Sequence, residues 1–361
     1  MRSAFNLILC VLLIIAWAGP LHAEPWFAVE TGHKCAACHV NPTGGGKRTA
    51  YGNAFAQMVL TQRSLGEQWG EFWDGRIDKR VRVGGDVRAN LTETRIPNQE
   101  NSFQYDFEEA VVYLELRLIE DMLTFYFDER MAPGGAVNRE AYALFRHANW
   151  HAKAGRMFLP FGWRLEDDSE FIRQASGINY ATPDDGIEFG YEAPRGSVQL
   201  AISNGTAGAG ENDRGKQYSM RGEYIRNKWR AGASFNFNDA DAGDRQMQGV
   251  FAGLRTGRIN WLAEADFISD ESFSDGKREQ WAVFAEANVR LRRGHNLKVS
   301  YGWFDPDDNI DEDERERASL VWELFPLPFT QFSLGARLNE GIPQNDFQNI
   351  DEIFLQLHLF F

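Results

Sequence analysis

The chain has few of the features that hold most soluble exported enzymes together. Only 3 of its 361 residues are cysteine, so no disulfide framework can carry the fold. Beyond the N-terminus no apolar run approaches the roughly 20 residues of a transmembrane helix. Mean hydropathy is −0.44, and long stretches of helical periodicity are missing. Cations are also in deficit: 38 Lys and Arg stand against 52 Asp and Glu, a formal charge of −14. No run of basic residues stands out along the sequence, which argues against nucleic acid as a partner.

The first residues are of a different kind. Arg2 precedes the run FNLILCVLLIIAWAG, and PLHA follows it ahead of Glu24. A basic start, a short apolar core and a small residue at the break describe a secretory signal peptide, residues 1–23, cleaved after Ala23. Leu9 is too large for a lipoprotein cleavage site before Cys10. The exported chain therefore keeps two thiols, Cys35 and Cys38.

Aromatics, at 13%, and 34 glycines are plentiful, and they sit in a period-two pattern. In WRAGASFNF (229–237), Trp229, Ala231, Ala233, Phe235 and Phe237 take one face, and Arg230, Gly232, Ser234 and Asn236 the other. Near the end, Ile353, Leu355, Leu357 and Leu359 alternate with Gln356 and His358. This is the signature of half-buried strands, or of a barrel with lipid outside and polar groups within. About 16 such segments can be placed from residue 80 onward. The links alternate strictly: long and polar after odd strands (160–183, 204–216, 238–245), short after even ones (120–121, 227–228, 256–257). Long outer loops and tight periplasmic turns follow this rule in outer-membrane barrels. The expected fold is all-β, an antiparallel transmembrane barrel of about 16 strands at 76–361 in a Gram-negative outer membrane. Trp150, Trp163, Trp229, Trp261, Trp281, Trp303 and Phe360 are its expected interfacial girdle. A short, partly helical segment at 24–75 precedes it, with the N-terminus periplasmic or inside the lumen.

That segment contains HKCAACHVNPTG (33–44). Attachment of haem c needs two thiols at this spacing and a His directly after the second. Cys35, Cys38 and His39 meet the pattern. A thioredoxin-like dithiol would need a βαβ context, a structural disulfide would not need His39, and a zinc site would need further clustered ligands. One covalent haem is the expected cofactor, with His39 on the metal. Met58, sharing a helical face with Phe55 and Val59, is the expected sixth ligand, and His147, His151 and His358 are the alternatives. TGGGKRT is not a phosphate loop, because Arg48 follows Lys47 where Ser or Thr is required. Its glycines either form a flexible link or let the backbone pass a ring closely, with Lys47 or Arg48 near a propionate.

PWFAVETGHKCAACHVNP, with Gly52 and Phe55 downstream, resembles the start of the fused cytochrome–porin family known from iron-oxidising bacteria. Pro25, Phe27, Ala28, Thr31, Gly32, Cys35, Cys38, His39 and Pro42 match the family's segment. Val29, Glu30 and the Gly44–Gly46 run depart from it, and the likeness covers about 30 residues. The resemblance implies electron transfer across the outer membrane, from an extracellular soluble donor such as Fe(II) to a periplasmic electron-carrier cytochrome, with Fe(II) oxidation as the associated activity. Carboxylate-rich links at 166–170, 239–244, 269–275 and 305–316 would concentrate cations at the outer mouth. The competing expectation is an anion or small-solute transport porin whose cytochrome segment docks or gates. Inward cations such as Arg117, Lys153, Arg230, Arg290 and Lys298 would then line the pore, or merely balance Glu109, Glu115 and Glu286.

Overall fold

The computed structural model describes residues 24–361 apart from 64–71, 179–181 and 212, so the expected signal peptide lies outside the described residues. Sixteen strands form one closed antiparallel barrel in sequence order, β1 (Val81–Arg95) closing on β16 (Asp351–Phe360). The closing register pairs Asp86 with Phe360 and Leu91 with Leu355, leaving no free edge. The strand count and the alternation of long and short links are as expected from the sequence.

Alternation dictates what each face meets. Along β9 (Trp229–Asn238), Trp229 and Phe235 are exposed while Arg230, Ser234 and Asn236 are buried. Along β11 (Ile259–Asp270), Trp261 faces out and Leu262, Glu264, Asp266 and Ile268 face in. An exterior of Val, Leu, Ile and aromatic side chains has lipid as its natural solvent. Of the expected girdle, Trp150, Trp229, Trp261 and Trp281 are exposed, but Trp163 and Phe360 are not. Trp163 lies in a loop that turns inward. Phe360 points in because its neighbour Leu359 points out, and Arg48 lies over its ring at 4.3 Å.

The inward side chains are buried because the lumen is filled from two directions. Helix α1 (Pro25–Thr31) sends Trp26, Phe27 and Val29 into one apolar cluster with Phe251, Leu262, Phe284 and Phe325 of the barrel wall. Each such side chain contributes about 1.5–3 kcal/mol on burial. Val29 is so close to Gly253 that a Cβ there would collide with its Cγ2. From the other direction comes the link between β5 (Trp150–Met157) and β6 (Asp184–Tyr191). It folds inward, carrying α4 (Phe171–Ser176), and Arg337 and Arg317 of the wall bond Asp167 (2.7 Å) and the Ser169 hydroxyl (2.7 Å). The expectation that the carboxylates at 166–170 belong to an outer loop is therefore corrected: wall arginines draw them into the lumen.

Candidate functional site

The thiols are placed by a single helical turn. Gly32, in the left-handed region at φ 71°, ends α1 and lets the chain reverse. Lys34 is extended, and α2 (Cys35–Cys38) comes next, closed by the His39 amide donating to the Cys35 carbonyl at 2.9 Å. Three residues apart on one turn, the two sulfurs share a face.

Beyond His39 the chain folds back over that turn. Gly44, Gly45 and Gly46 all have positive φ, at 98°, 71° and 62°, which returns the backbone so that Val40 donates to Lys47 and Thr49 to Cys38, at 3.0 and 2.8 Å. Thr49 then caps α3 (Ala50–Phe55), accepting from the Gly52 amide at 3.1 Å, while its hydroxyl donates to Ala37. α3 rests directly on α2: a Cβ on Gly52 would collide with the Cys38 carbonyl oxygen.

Between these pieces lies a cleft that encloses about 770 Å³ with its open mouth included. Cys35, Cys38 and His39 form one side. Phe27, Ala28, Phe55, Leu60 and Trp163 supply apolar walls, and Arg48, Arg164 and Arg221 also line it. His39 is buried, its Nδ1 has no hydrogen-bond partner, and burial with Arg48 and Arg164 nearby pushes its pKa down to about 3. The ring is thus a neutral imidazole, the form that binds metals. Burial likewise pushes the Cys35 thiol up, and the Cys38 thiol up to about 11, so neither is a ready thiolate. The two thiols are not joined to each other. Among the described residues no three His, Cys, Asp or Glu side chains gather as a ready metal site, which disfavours a zinc corner.

Met58, His147 and His151 do not line the cavity with the thiols; His358 does not either, but it lines an adjoining polar space together with His39. Met58 is 54% exposed and does not line the cavity. The reason is local: after α3 the helix widens to a π-turn at Ala56–Leu60, changing the phase on which the α-helical reading relied. Leu60 takes the inward place, and Met58 and Val59 turn out. His358 is buried between Asp86 (2.9 Å) and Glu166 (3.3 Å), His151 pairs with Glu188 (3.0 Å), and His147 is exposed on a short turn. His33 lies at the cavity wall, edge-on to Tyr51. Arg48 lines the cavity as expected, whereas Lys47 turns away to Glu115 at 3.1 Å.

Two residues that the sequence pattern did not single out complete the site. Arg164 comes from the inward loop and donates to the Gly44 carbonyl at 2.6 Å. Arg221, on β8 (Gln217–Ile225), donates to the Gly162 carbonyl at 3.0 Å and lies over Phe251. Period-two alternation placed Arg221 inside, but nothing in the sequence marked either as facing the C-x-x-C-H turn.

Two polar cavities continue from this one. A space of about 570 Å³ shares His39, Arg48 and Arg164 with it, and a larger one of about 1270 Å³ shares Glu24 and Pro25. The two polar spaces share Arg88 and Glu166. The larger one is carboxylate-rich, with Asp106, Glu108, Asp167, Asp168, Glu170 and Glu352 on its walls. The inward cations in the wall are paired: Lys153 with Glu188 (2.8 Å), Arg230 with Glu223 (2.9 Å), Arg117 with Glu115 (2.5 Å) and Lys298 with Glu323 (3.1 Å).

No family model and no curated protein matches the chain. Solved outer-membrane channels do resemble it in fold. An anion-selective porin from Comamonas acidovorans aligns over 78% of this chain and 99% of its own, with TM-score 0.61 and 10% identity. OmpT of Vibrio cholerae gives 0.59 at 11% identity, over 78% and 97% of the two chains. The DcaP channel of Acinetobacter baumannii gives 0.55 at 11%, again over 78% and 97%. The chain has the fold of the outer-membrane porin barrels.

Proposed function

We propose that this chain is an outer-membrane electron-transfer protein that holds one haem c inside its barrel and passes electrons between a small extracellular donor, such as Fe(II), and a periplasmic carrier cytochrome. The observation that carries this reading is the convergence of Cys35, Cys38 and His39 on one wall of a largely apolar cavity, lined also by three arginines, within a porin-type barrel. The residues fit the group. The sulfurs of Cys35 and Cys38 would bond its two vinyl carbons, and His39, neutral with an unpartnered ring nitrogen, would face its metal. Phe27, Phe55, Leu60 and Trp163 would pack on the macrocycle, and Arg48, Arg164 and Arg221 would receive its carboxylates. A haem so bound would supply one-electron chemistry.

The chain's own residues govern access. The N-terminal segment leans on the short turns: Arg255 donates to the Glu30 carbonyl (2.8 Å) and Arg293 to that of Met58 (2.6 Å). If short turns are periplasmic, the site lies toward that side. The apolar band of such a barrel is about 25 Å tall, so an outer donor must enter the lumen. The carboxylate-walled cavity draws small cations in, while the inward loop blocks anything as large as a mineral surface. Stopped-flow mixing of the loaded protein with Fe(II) tests the donor: rapid reduction supports it, and haem bands that stay oxidised remove Fe(II).

The transport-porin reading draws support from the fold of the solved channels alone. Paired inward cations and a lumen packed by two segments oppose it. A large ohmic current in planar bilayers would favour it; the electron-transfer reading expects low conductance.

A further inference from the structure

Three of the short turns carry cations only, whereas the short link at 120–121 is Glu120–Asp121. Arg226 and Lys228 lie on the turn after β8; Arg255 lies at the end of β10 (Arg245–Thr256) and Arg258 on the turn to β11; Arg292 ends β12 (Arg278–Arg292) and Arg293 lies on the turn to β13 (His295–Asp305). All six are exposed. These turns succeed one another around the barrel, and none of them contains Asp or Glu. Near this end Glu30 pairs with Arg290 (2.5 Å), Glu192 with Lys34 (3.0 Å) and Asp74 with Arg82 (3.4 Å), and the exposed Asp78, Glu120 and Asp121 lie outside the arc, beside β1 and the turn at 120–121.

Within the arc, at the mouth of the barrel, the N-terminal segment exposes Tyr51, Met58 and Val59 at 46%, 54% and 41%. Cys35 and Cys38 are themselves half-buried beside the exposed His33. An apolar centre with a charged rim is the anatomy of a transient protein interface, and a rim of one sign steers partners of the other. Lipid headgroups would meet the outer perimeter of the barrel. Here the apolar side chains lie on the lumenal segment, inside the ring of turns, where a protein can reach and a bilayer cannot.

We propose that this arc is the docking site for a soluble redox protein with an acidic surface, which approaches the Cys35–Cys38 edge from the short-turn side. The surface itself rests on charge and exposed apolar area; only the partner's redox character rests on the electron-transfer reading.

The test uses the full exported chain in phosphatidylcholine nanodiscs and one probe in two charge states: fluorescently labelled cytochrome c, unmodified (basic) or with its lysines succinylated (acidic). Binding is read by anisotropy. The succinylated form should bind, and association should slow roughly tenfold or more in the variant Lys228→Glu, Arg258→Glu, Arg292→Glu, and in high salt. The unmodified form should bind the variant better than the parent chain, a gain that misfolding cannot produce. Equal binding of both forms, or a variant indistinguishable from the parent, overturns the proposal. So does a variant whose only defect is weaker retention in phosphatidylglycerol bilayers, which would make the cations headgroup anchors. Because binding needs no haem, a chain that docks the acidic probe yet carries no haem would keep this surface and remove the electron-transfer reading.

Discussion

Arg164 Nη1 donates to the Gly44 carbonyl oxygen at 2.6 Å, and this bond fastens the inward loop to the glycine turn that succeeds the C-x-x-C-H residues. The same guanidinium lies 3.6 Å from Glu140 and over the Phe158 ring. Two segments 120 residues apart thus meet at one side chain, on the wall of the candidate site.

Arg164→Ala should therefore loosen both. Loss of a buried charged hydrogen bond costs about 1.5–3 kcal/mol, more where Glu140 is left unpaired. Faster hydrogen exchange in residues 40–48 and 158–166 together, with the strands unaffected, is the expected result. Exchange that changes in one segment alone would show that the bond does not couple them.

Gly52→Ala places a Cβ against the Cys38 carbonyl oxygen, far inside van der Waals contact, and must push α3 off α2. Such overpacking costs about 1–3 kcal/mol. The expected outcome is a folded barrel with reduced haem attachment, read by haem stain against total protein.

Met58→Ala should leave the absorption spectrum of the loaded protein unchanged, whereas His39→Ala should alter it or abolish loading. Met58 lies outside the cavity and His39 within it. A spectral change in Met58→Ala would return Met58 to the metal.

The inward loop should respond to pH. Burial pushes Glu166 from the ordinary 4.5 up to about 8, against the pull of Arg88, and Glu170 up to about 7. Groups with raised folded pKa stabilise the folded loop fully below about 4.5 and lose that contribution as pH rises through 7 to 8. Protection of residues 165–176 against hydrogen exchange, corrected for intrinsic rate, should fall between about pH 4.5 and 8 and then level off, and Glu166→Gln should flatten the change.

The barrel was legible in the sequence because lipid outside and packed polar groups inside impose period two, and turns of two or three residues fix strand ends closely. The alternating stretch 229–237 is observed as β9, Trp229–Asn238. The inward path of 158–178 was not legible: its carboxylates look like those of any outer loop until Arg88, Arg317 and Arg337 are brought near them by strands far away in sequence. The outward turn of Met58 was not legible either, because one π-turn changes a helix's phase without marking its composition. The basic arc was invisible for a similar reason. Its cations come in pairs separated by about 30 residues, and only barrel closure sets them side by side.

The central claim is one covalent haem on Cys35 and Cys38, and intact-mass spectrometry of the chain produced with a c-type haem attachment system tests it most directly. The account predicts the mass of one haem added per chain, absent in the Cys35→Ala, Cys38→Ala double variant whose barrel still folds. An unmodified mass for the parent chain under conditions that load a control cytochrome would contradict it.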